Sequence, residues 1–245
     1  FRAAARHRQR NGAGLDGGGL HIERSGLQVV SCLVASNSVN GSTARGSGIY
    51  ITDGAPVISR TSLRCNSNIN SLGDGGAIYA DNGTYLMVDS CLISSNSSKA
   101  NNRDDAAGIR LDAVNKGKIF NCLVLSNDNT AANGTDGISV TGIKPTMGES
   151  IVIQNTTVAN NYGRGLHVTN LSITVTNCIF WDNTLDMLAY IGTPINVYYS
   201  DVQNASVTNS VGCKSADPVF VGESYYLDQG SSPCVDAGGS SSTNS

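Results

Sequence analysis

The stretch GGAIYADNGTYLMVDSCLISSN, Gly75 to Asn96, decides the fold. It holds an apolar pair spaced by two (Ile78, Ala80), a Gly/Asn turn, a second run (Leu86-Met87-Val88) and a third (Cys91-Leu92-Ile93) that closes on Asn96. The opening phrase recurs in the same register as GGGLHI (17–22), GSGIYI (46–51), AGIRL (107–111), DGISV (136–140) and RGLHV (164–168). Each copy again closes on an asparagine: Asn37, Asn66, Asn96, Asn127, Asn161 and Asn183, with a weaker seventh copy ending at Asn204. Self-similarity at a period of about thirty residues signals stacked repeats that bury a common core only together.

Composition narrows the kind of repeat. Charged residues are 14% and aromatics 6% of the 245 residues, while Gly, Ser, Asn and Thr are plentiful. A helical repeat needs Leu, Glu, Lys and Ala in quantity; this chain instead suits short strands joined by tight turns. Within each copy the apolar residues alternate, as in Ile49/Ile51, Ile109/Leu111 and Ile138/Val140. Strands this short are unstable alone but stack on their equivalents in the next copy. The predicted fold is therefore all-β: a right-handed, single-stranded parallel β-helix of about seven coils, rungs about 4.8 Å apart.

The spacing agrees. From the first apolar residue of the opening strand to the closing Asn there are 17 residues in coils one, two and six and 18 in coils three and four. The segment after the Asn is long in the early coils and short after Asn161 and Asn183, which predicts loops projecting along one flank of the early coils only. A second insertion, Thr141 to Ser150, interrupts coil five. The domain reading is a basic N-terminal segment (1–14) acting as cap or docking arm, the repeats (15–210), a C-terminal cap (211–238) and a Gly/Ser tail (239–245). The start at Phe1 and the tail GGSSSTNS read as a piece of a longer chain.

Net charge is −3, but residues 1–10 hold four Arg and no acid, leaving 12 basic against 19 acidic residues in the rest. No attraction to nucleic acid follows. No run of 18 apolar residues exists, so no membrane span is expected, and the seven cysteines lack zinc spacing. Cys32, Cys91, Cys122 and Cys178 each stand five before the closing Asn, where Thr61 and Thr156 stand in other coils; they are expected to line one inward column as buried thiols. The seven asparagines, Asn37, Asn66, Asn96, Asn127, Asn161, Asn183 and Asn204, are expected to form a side-chain amide ladder. Cys213 and Cys234, outside the column, are the candidate disulfide.

Two motifs carry a resemblance. Gly75-Gly76-Ala77-Ile78 and Phe180-Trp181-Asp182-Asn183 resemble the paired repeats of polymorphic outer membrane proteins, the chlamydial-type surface adhesins. Asp217-Pro-Val-Phe-Val221, Tyr226-Leu-Asp228 and Ser232-Pro-Cys-Val-Asp-Ala-Gly238 resemble the closing segment of secreted bacterial β-helix proteins of the pectate-lyase-like superfamily. The likeness spans roughly residues 15 to 238. It implies an extracellular or cell-surface protein and leaves function open, because the superfamily holds adhesins, stalks, lyases and hydrolases. No membrane-barrel anchor follows, unlike in those adhesins.

Of the polygalacturonase and pectate-lyase motifs only a doubled Asp, Asp104-Asp105, is present, and no Gly-His-Gly phrase accompanies it. Outward positions of the opening strand read His21, Tyr50, Tyr79, Arg110, Ser139 and His167, flanked by Glu23, Thr52, Asp81, Asp112, Thr141 and Thr169, and by Asp16, Arg45, Asp74 and Asp105. Asp81, Asp112 and Arg110 form the candidate catalytic set; carboxylates on neighbouring rungs suit a retaining glycosidase pair. Asp74, Asp105, Asp81 and Asp112 are the candidate calcium ligands, and Tyr50, Tyr79 and Arg110 the candidate sugar-binding set. Solvated turn acids are the plainer reading of the same residues. Ice binding needs Thr-x-Thr rows that the mixed outward row lacks.

The preferred functional reading is a non-catalytic adhesive or structural surface protein that contacts copies of itself, other surface proteins or polysaccharide. The alternative is a polysaccharide lyase or glycoside hydrolase. Ala3–Ala5 could form a short helix over Leu20 and Ile22; without such a cap, head-to-tail stacking into a filament follows. Seven N-glycosylation sequons begin at Asn40, Asn82, Asn96, Asn133, Asn155, Asn170 and Asn204.

Overall fold

In a computed structural model the chain winds as a parallel β-helix. It describes residues 16–70, 74–99, 105–114, 116–129, 136–142, 150–190, 194–204 and 209–239, with the backbone of Ala4–Ala5. Three long parallel sheets run along the axis. Sheet 1 has seven strands, from Leu20–Glu23 to Leu185–Ala189. Sheet 2 has eight, from Gln28–Val30 to Asn209–Val211, and sheet 3 also eight, from Ala4–Ala5 to Asp201–Val202. Every pairing among named strands is parallel and joins equivalent positions of successive coils, as in Leu20↔Ile49, Ile49↔Ile78 and Ile78↔Ile109.

Alternation decides which face is inside. Ile49, Ile51, Ile78, Ile109, Leu111, Ile138 and Val140 from sheet 1 meet Ile58, Val88, Ile119 and Ile153 from sheet 2 and Leu63, Ile93, Val124 and Phe180 from sheet 3 in one continuous core, all fully buried. No single coil could bury these faces, because each needs a coil above and below.

The corners explain why Ser, Asn and Asp follow the apolar runs. Residues with positive φ stack in columns: Arg24, Asp53, Asn82, Ala113 and Asn170 between sheets 1 and 2, Ser31, Arg60, Ser90, Asn121, Asn155, Asn177 and Tyr199 between sheets 2 and 3, and Ser36, Cys65, Ser95, Ser126, Asn160 and Asp182 after sheet 3. One left-handed residue bends the strand sharply while its N–H still donates to the next coil, as in Arg24 N to Thr52 O and Ser31 N to Ser59 O (both 3.0 Å). Asn and Asp tolerate that conformation best, and for other residues it costs about 1 kcal/mol, which the inter-coil bonds offset.

Four findings depart from the sequence reading. The segment after the closing Asn is not only loop: Ser38–Val39, Ser67–Asn68, Ser97–Ser98 and Asp128–Asn129 pair into a fourth parallel sheet over coils one to four. Apart from Val39 these residues are polar and carry no apolar pattern, so it is stacking on a neighbour rather than propensity that makes them strands. Ala4–Ala5 is not helical; its backbone pairs in parallel with Leu33–Val34, extending sheet 3 by one strand. The remainder of residues 1–15, including Phe1, lies outside the described residues, as do most of the insertion 141–150 and the tail from 240 on. Cys213 and Cys234 are free thiols, not a disulfide: Cys234 Sγ donates to Asp201 Oδ2 at 2.8 Å, and Cys213 Sγ points to the Val197 and Val211 carbonyls.

The fourth departure concerns the C-terminal segment, which does more than close the end. Asn209–Val211 adds a strand to sheet 2 and Lys214 bridges Asp201. Beyond it the chain turns back along the outside of the helix. Phe220 and Leu227 pair antiparallel, and Val221 N donates to Tyr226 O at 2.8 Å, making a hairpin whose tip, Ser224–Tyr226, stands over sheet 3. Among the described residues no helix is long and apolar enough to cross a membrane.

Candidate functional site

The polar face of sheet 1 holds the residues singled out above. Strand pairing puts His21, Tyr50, Tyr79, Arg110, Ser139 and His167 in one row, on the side opposite the core. A row pointing away from the core should be wet, yet Tyr50, Tyr79, Arg110, Ser139 and His167 are all buried. Rings run along it: His21 to Tyr50 at 4.8 Å between centroids and Tyr50 to Tyr79 at 5.8 Å, with the Arg45 guanidinium 5.5 Å over Tyr79. The spacing follows from the rung separation, which brings neighbouring aromatics into tilted contact.

The flanking acids are taken up by this row. Asp81, itself buried, accepts from Tyr50 Oη (3.3 and 3.2 Å) and from Arg45 Nη1 (3.1 Å). Burial nevertheless raises its carboxyl above the usual range, with those bonds and the Arg45 charge opposing. Asp112 accepts from Tyr79 Oη at 3.0 Å and Thr141 Oγ1 at 3.3 Å. Burial, then the Asp112 charge, pushes the Tyr79 phenol far up, so it stays a donor. Arg110 Nη1 donates to Ser139 Oγ at 3.1 Å, while its Nε finds no partner among the described residues.

A third row binds one coil to the next. Asp16 Oδ1 accepts from Arg45 N (2.8 Å), Asp105 Oδ1 from Gly75 N (2.8 Å), and Asp136 Oδ1 from both Arg164 N (3.2 Å) and Arg164 Nε (2.7 Å). Arg45 also lies 3.7 Å from Asp74, and His167 Nδ1 lies 3.4 Å from Asp136 Oδ2. Asp105 is fully buried, and desolvation lifts it to about 7 against the bonds from Ser98 and Gly75 and the charge of Arg110. Asp136 and Arg164 were not singled out by sequence: they stand two residues before the first apolar residue of their strands, immediately before Gly137 and Gly165, whereas the other members stand four before it, and the pairing shifts register between Ala106 and Ile109. Asp104 lies outside the described residues. The four candidate calcium ligands do not converge: Asp74 and Asp81 both face the Arg45 guanidinium, Asp105 takes the Gly75 N–H and Asp112 the Tyr79 hydroxyl, and no metal-holding group of three His, Cys, Asp or Glu occurs among the described residues.

Two further columns run beside the core. The Cys32 N–H donates to Thr61 Oγ1 (3.2 Å), Cys91 N to Cys122 Sγ (3.5 Å), Cys122 N to Thr156 Oγ1 (3.3 Å) and Cys178 N to Ser200 Oγ (3.1 Å). Each small side chain at this corner thus accepts the N–H of the coil before it, which is why Cys, Thr and Ser interchange there. Cys91, Cys122 and Cys178 are buried, Cys32 partly so, and burial lifts the Cys178 thiol to about 12.

The asparagines make a one-way relay. Asn37 Nδ2 donates to Asn66 Oδ1, Asn66 to Asn96, Asn96 to Asn127, Asn127 to Asn161 and Asn161 to Asn183, at 2.9–3.1 Å. Asn204 is not its seventh member. Asn183 Nδ2 donates to Asp186 Oδ1 at 2.9 Å, and exposed Asn204 meets Asp186 Oδ2 through its backbone N–H at 2.7 Å. The last coil is a residue short between corner and Asn, since the corner side chain there is Ser200. The ladder also explains the repeated glycine. A Cβ on Gly137 or Gly165 would sit 2.9 Å from the Asn161 or Asn183 amide, so the amide column needs a bare backbone beside it. Of the sequons, Asn96 is locked in the ladder and Asn133 lies outside the described residues; Asn40, Asn82, Asn155, Asn170 and Asn204 are exposed.

Compared with known families, residues 18–211 match the one described as the right-handed beta helix region. Neither the curated proteins nor the solved structures give a significant match.

Proposed function

The chain belongs to the right-handed β-helix family, and from that premise we propose that it is a non-catalytic, adhesive or structural protein of the cell surface or extracellular space. The observation carrying this reading is that the best catalytic candidates are consumed by the scaffold. Asp81 is held by Tyr50 and Arg45, Asp112 by Tyr79 and Thr141, and Arg110 is buried against Ser139. A general acid or nucleophile must reach substrate, and here each carboxylate ties one coil to the next. The motif likeness to surface adhesins supports the location.

The experiment is an incubation of the protein with acidic and neutral polysaccharides, followed by reducing-end and unsaturated-product assays. No depolymerisation is expected. Turnover that disappears in the Asp81→Asn, Asp112→Asn double variant, with the fold intact by circular dichroism, would establish the lyase or hydrolase alternative instead.

A further inference from the structure

A different face carries a second observation. On the outside of sheet 3, strand pairing aligns Leu92 with Leu123 and Ser94 with Leu125, while Ile93 and Val124 between them point into the core. Leucines stacked outward on neighbouring rungs form an apolar stripe that asks for a cover. Part of it is the C-terminal hairpin. Its tip and this patch enclose a groove of about 660 Å³, floored by Leu92, Leu123 and Leu125 and walled by Tyr225 and Tyr226, with Ser94, Ser126, Asn160 and Ser224 at its edges.

We propose that this groove binds an uncharged saccharide chain, which deepens the adhesive reading above and rests on it. Four features fix the chemistry. The volume lies in the range of ligand sites and not of packing defects. Among its described lining residues none is Asp, Glu, Lys, Arg or His, so that lining gives a charged glycan no ionic partner in return for its lost solvation. The lining alternates aromatic or aliphatic surface with hydroxyls and an amide, matching a sugar's C–H faces and its rim of hydroxyls. Asn160 Nδ2 donates to Ser126 Oγ at 3.1 Å, leaving the Asn160 carbonyl oxygen and the Ser126 hydroxyl proton for a ligand.

The tyrosines are also presented in a costly way. Tyr226 is 72% exposed, the most of any large apolar or aromatic side chain described. Tyr225 sits at φ 56°, a left-handed conformation disfavoured for a bulky residue, and is held there by Phe220, edge-on at 5.1 Å. A strained residue beside a groove is a functional signature when the surroundings over-determine it, as the hairpin does. The lining draws on coils three, four and five, an axial reach of about 10 Å, so an elongated ligand of at least disaccharide length fits best.

The test is calorimetric titration of the full chain with cellohexaose, chitohexaose, mannohexaose and xylohexaose, with hexagalacturonate as the charged probe. At least one neutral oligosaccharide should bind and hexagalacturonate should not. Tyr226→Ala should weaken binding tenfold or more at unchanged melting temperature, Leu123→Arg should abolish it, and Tyr85→Ala on sheet 2 should leave it unaltered. The site is refuted if no neutral probe binds at millimolar concentration, if only hexagalacturonate binds, or if Tyr226→Ala and Leu123→Arg bind as the parent does. Attachment of the protein to cells or to other surface proteins that survives both substitutions would sink the groove and leave the adhesive role standing.

Discussion

Replacing Asn96 by alanine tests the amide relay at its middle. Its Nδ2 donates to Asn127 Oδ1 (2.9 Å) and Leu63 O (3.0 Å), and its Oδ1 accepts from Asn66 N (3.0 Å) and Asn66 Nδ2 (2.9 Å), in a fully buried position. Truncation removes four hydrogen bonds and leaves the Asn66 N–H without a partner; Asn66 Nδ2 keeps Val34 O, and Asn127 Oδ1 keeps the Asn96 N–H. At about 1 kcal/mol net per bond, and more for the orphaned donor, the loss comes to about 4 kcal/mol. At about 2–4 °C per kcal/mol for a chain of this size, thermal melting by circular dichroism should fall by about 8–16 °C. Asn96→Asp keeps the accepting half but sets a buried carboxylate against two acceptors. It should be worse than alanine at pH 7 and recover on acidification, since burial raises the folded-state pKa and the stability of the neutral form is lost as pH rises through it. Exposed Asn204→Ala serves as the control and should change stability by less than about 0.5 kcal/mol. An Asn96→Ala melt within about 3 °C of the parent, or an Asn204→Ala loss as large as that of Asn96→Ala, refutes the relay as a source of stability.

Gly165→Ala should destabilise by about 1–3 kcal/mol, because its methyl group would lie 2.7 Å from Asp186 O and 2.9 Å from the Asn183 amide; a denaturant midpoint equal to the parent's would contradict the close approach. Asp105, lifted to about 7, should make the protein more stable at pH 5 than at pH 8: the raised folded pKa means its stabilising contribution is complete below the unfolded value and lost as pH climbs through 7. Melting profiles of Asp105→Asn should show that component flattened, and an unchanged pH slope would show that the carboxyl does not titrate there. Under native conditions a thiol reagent should modify exposed Cys65 readily and leave Cys91, Cys122 and Cys178 untouched until the protein is unfolded; early labelling of Cys178, counted by peptide mass, would mean that the core column is open.

Much of the fold was legible because the same residues had to solve the same problem in every coil. Ile49, Ile78, Ile109 and Ile138 must face inward in register, and an asparagine must follow the third strand wherever a left-handed corner meets the amide column. What escaped the reading lacked that repetition. The Ser/Asn strands of sheet 4 have no apolar alternation and become strands only by stacking. Asp186 ends the ladder from inside a strand, three residues after Asn183, so counting from the apolar runs pointed to Asn204 instead. The candidate site was half legible: the rows of His, Tyr, Arg and Asp on sheet 1 fall where the period predicts, but spacing does not reveal that the row is buried and that Asp81 and Asp112 are already held by their neighbours. The hairpin at Phe220–Leu227 occurs once, so no period announces it.

The amide relay has a direction. Every Asn donates toward the C-terminal end and accepts from the N-terminal side, so the group dipoles add and their positive end emerges at Asn183, where Asp186 supplies a carboxylate. The arrangement parallels an anion at the amino end of an α-helix, though it is built from side chains of residues some thirty positions apart. Each interior member sees the same two neighbours, so a coil can be duplicated or deleted inside the stack without creating a mismatched amide, provided the final member still meets a carboxylate. The length of this molecule is therefore a variable that its sequence can change in whole coils, and the acid after Asn183 marks where the count ends.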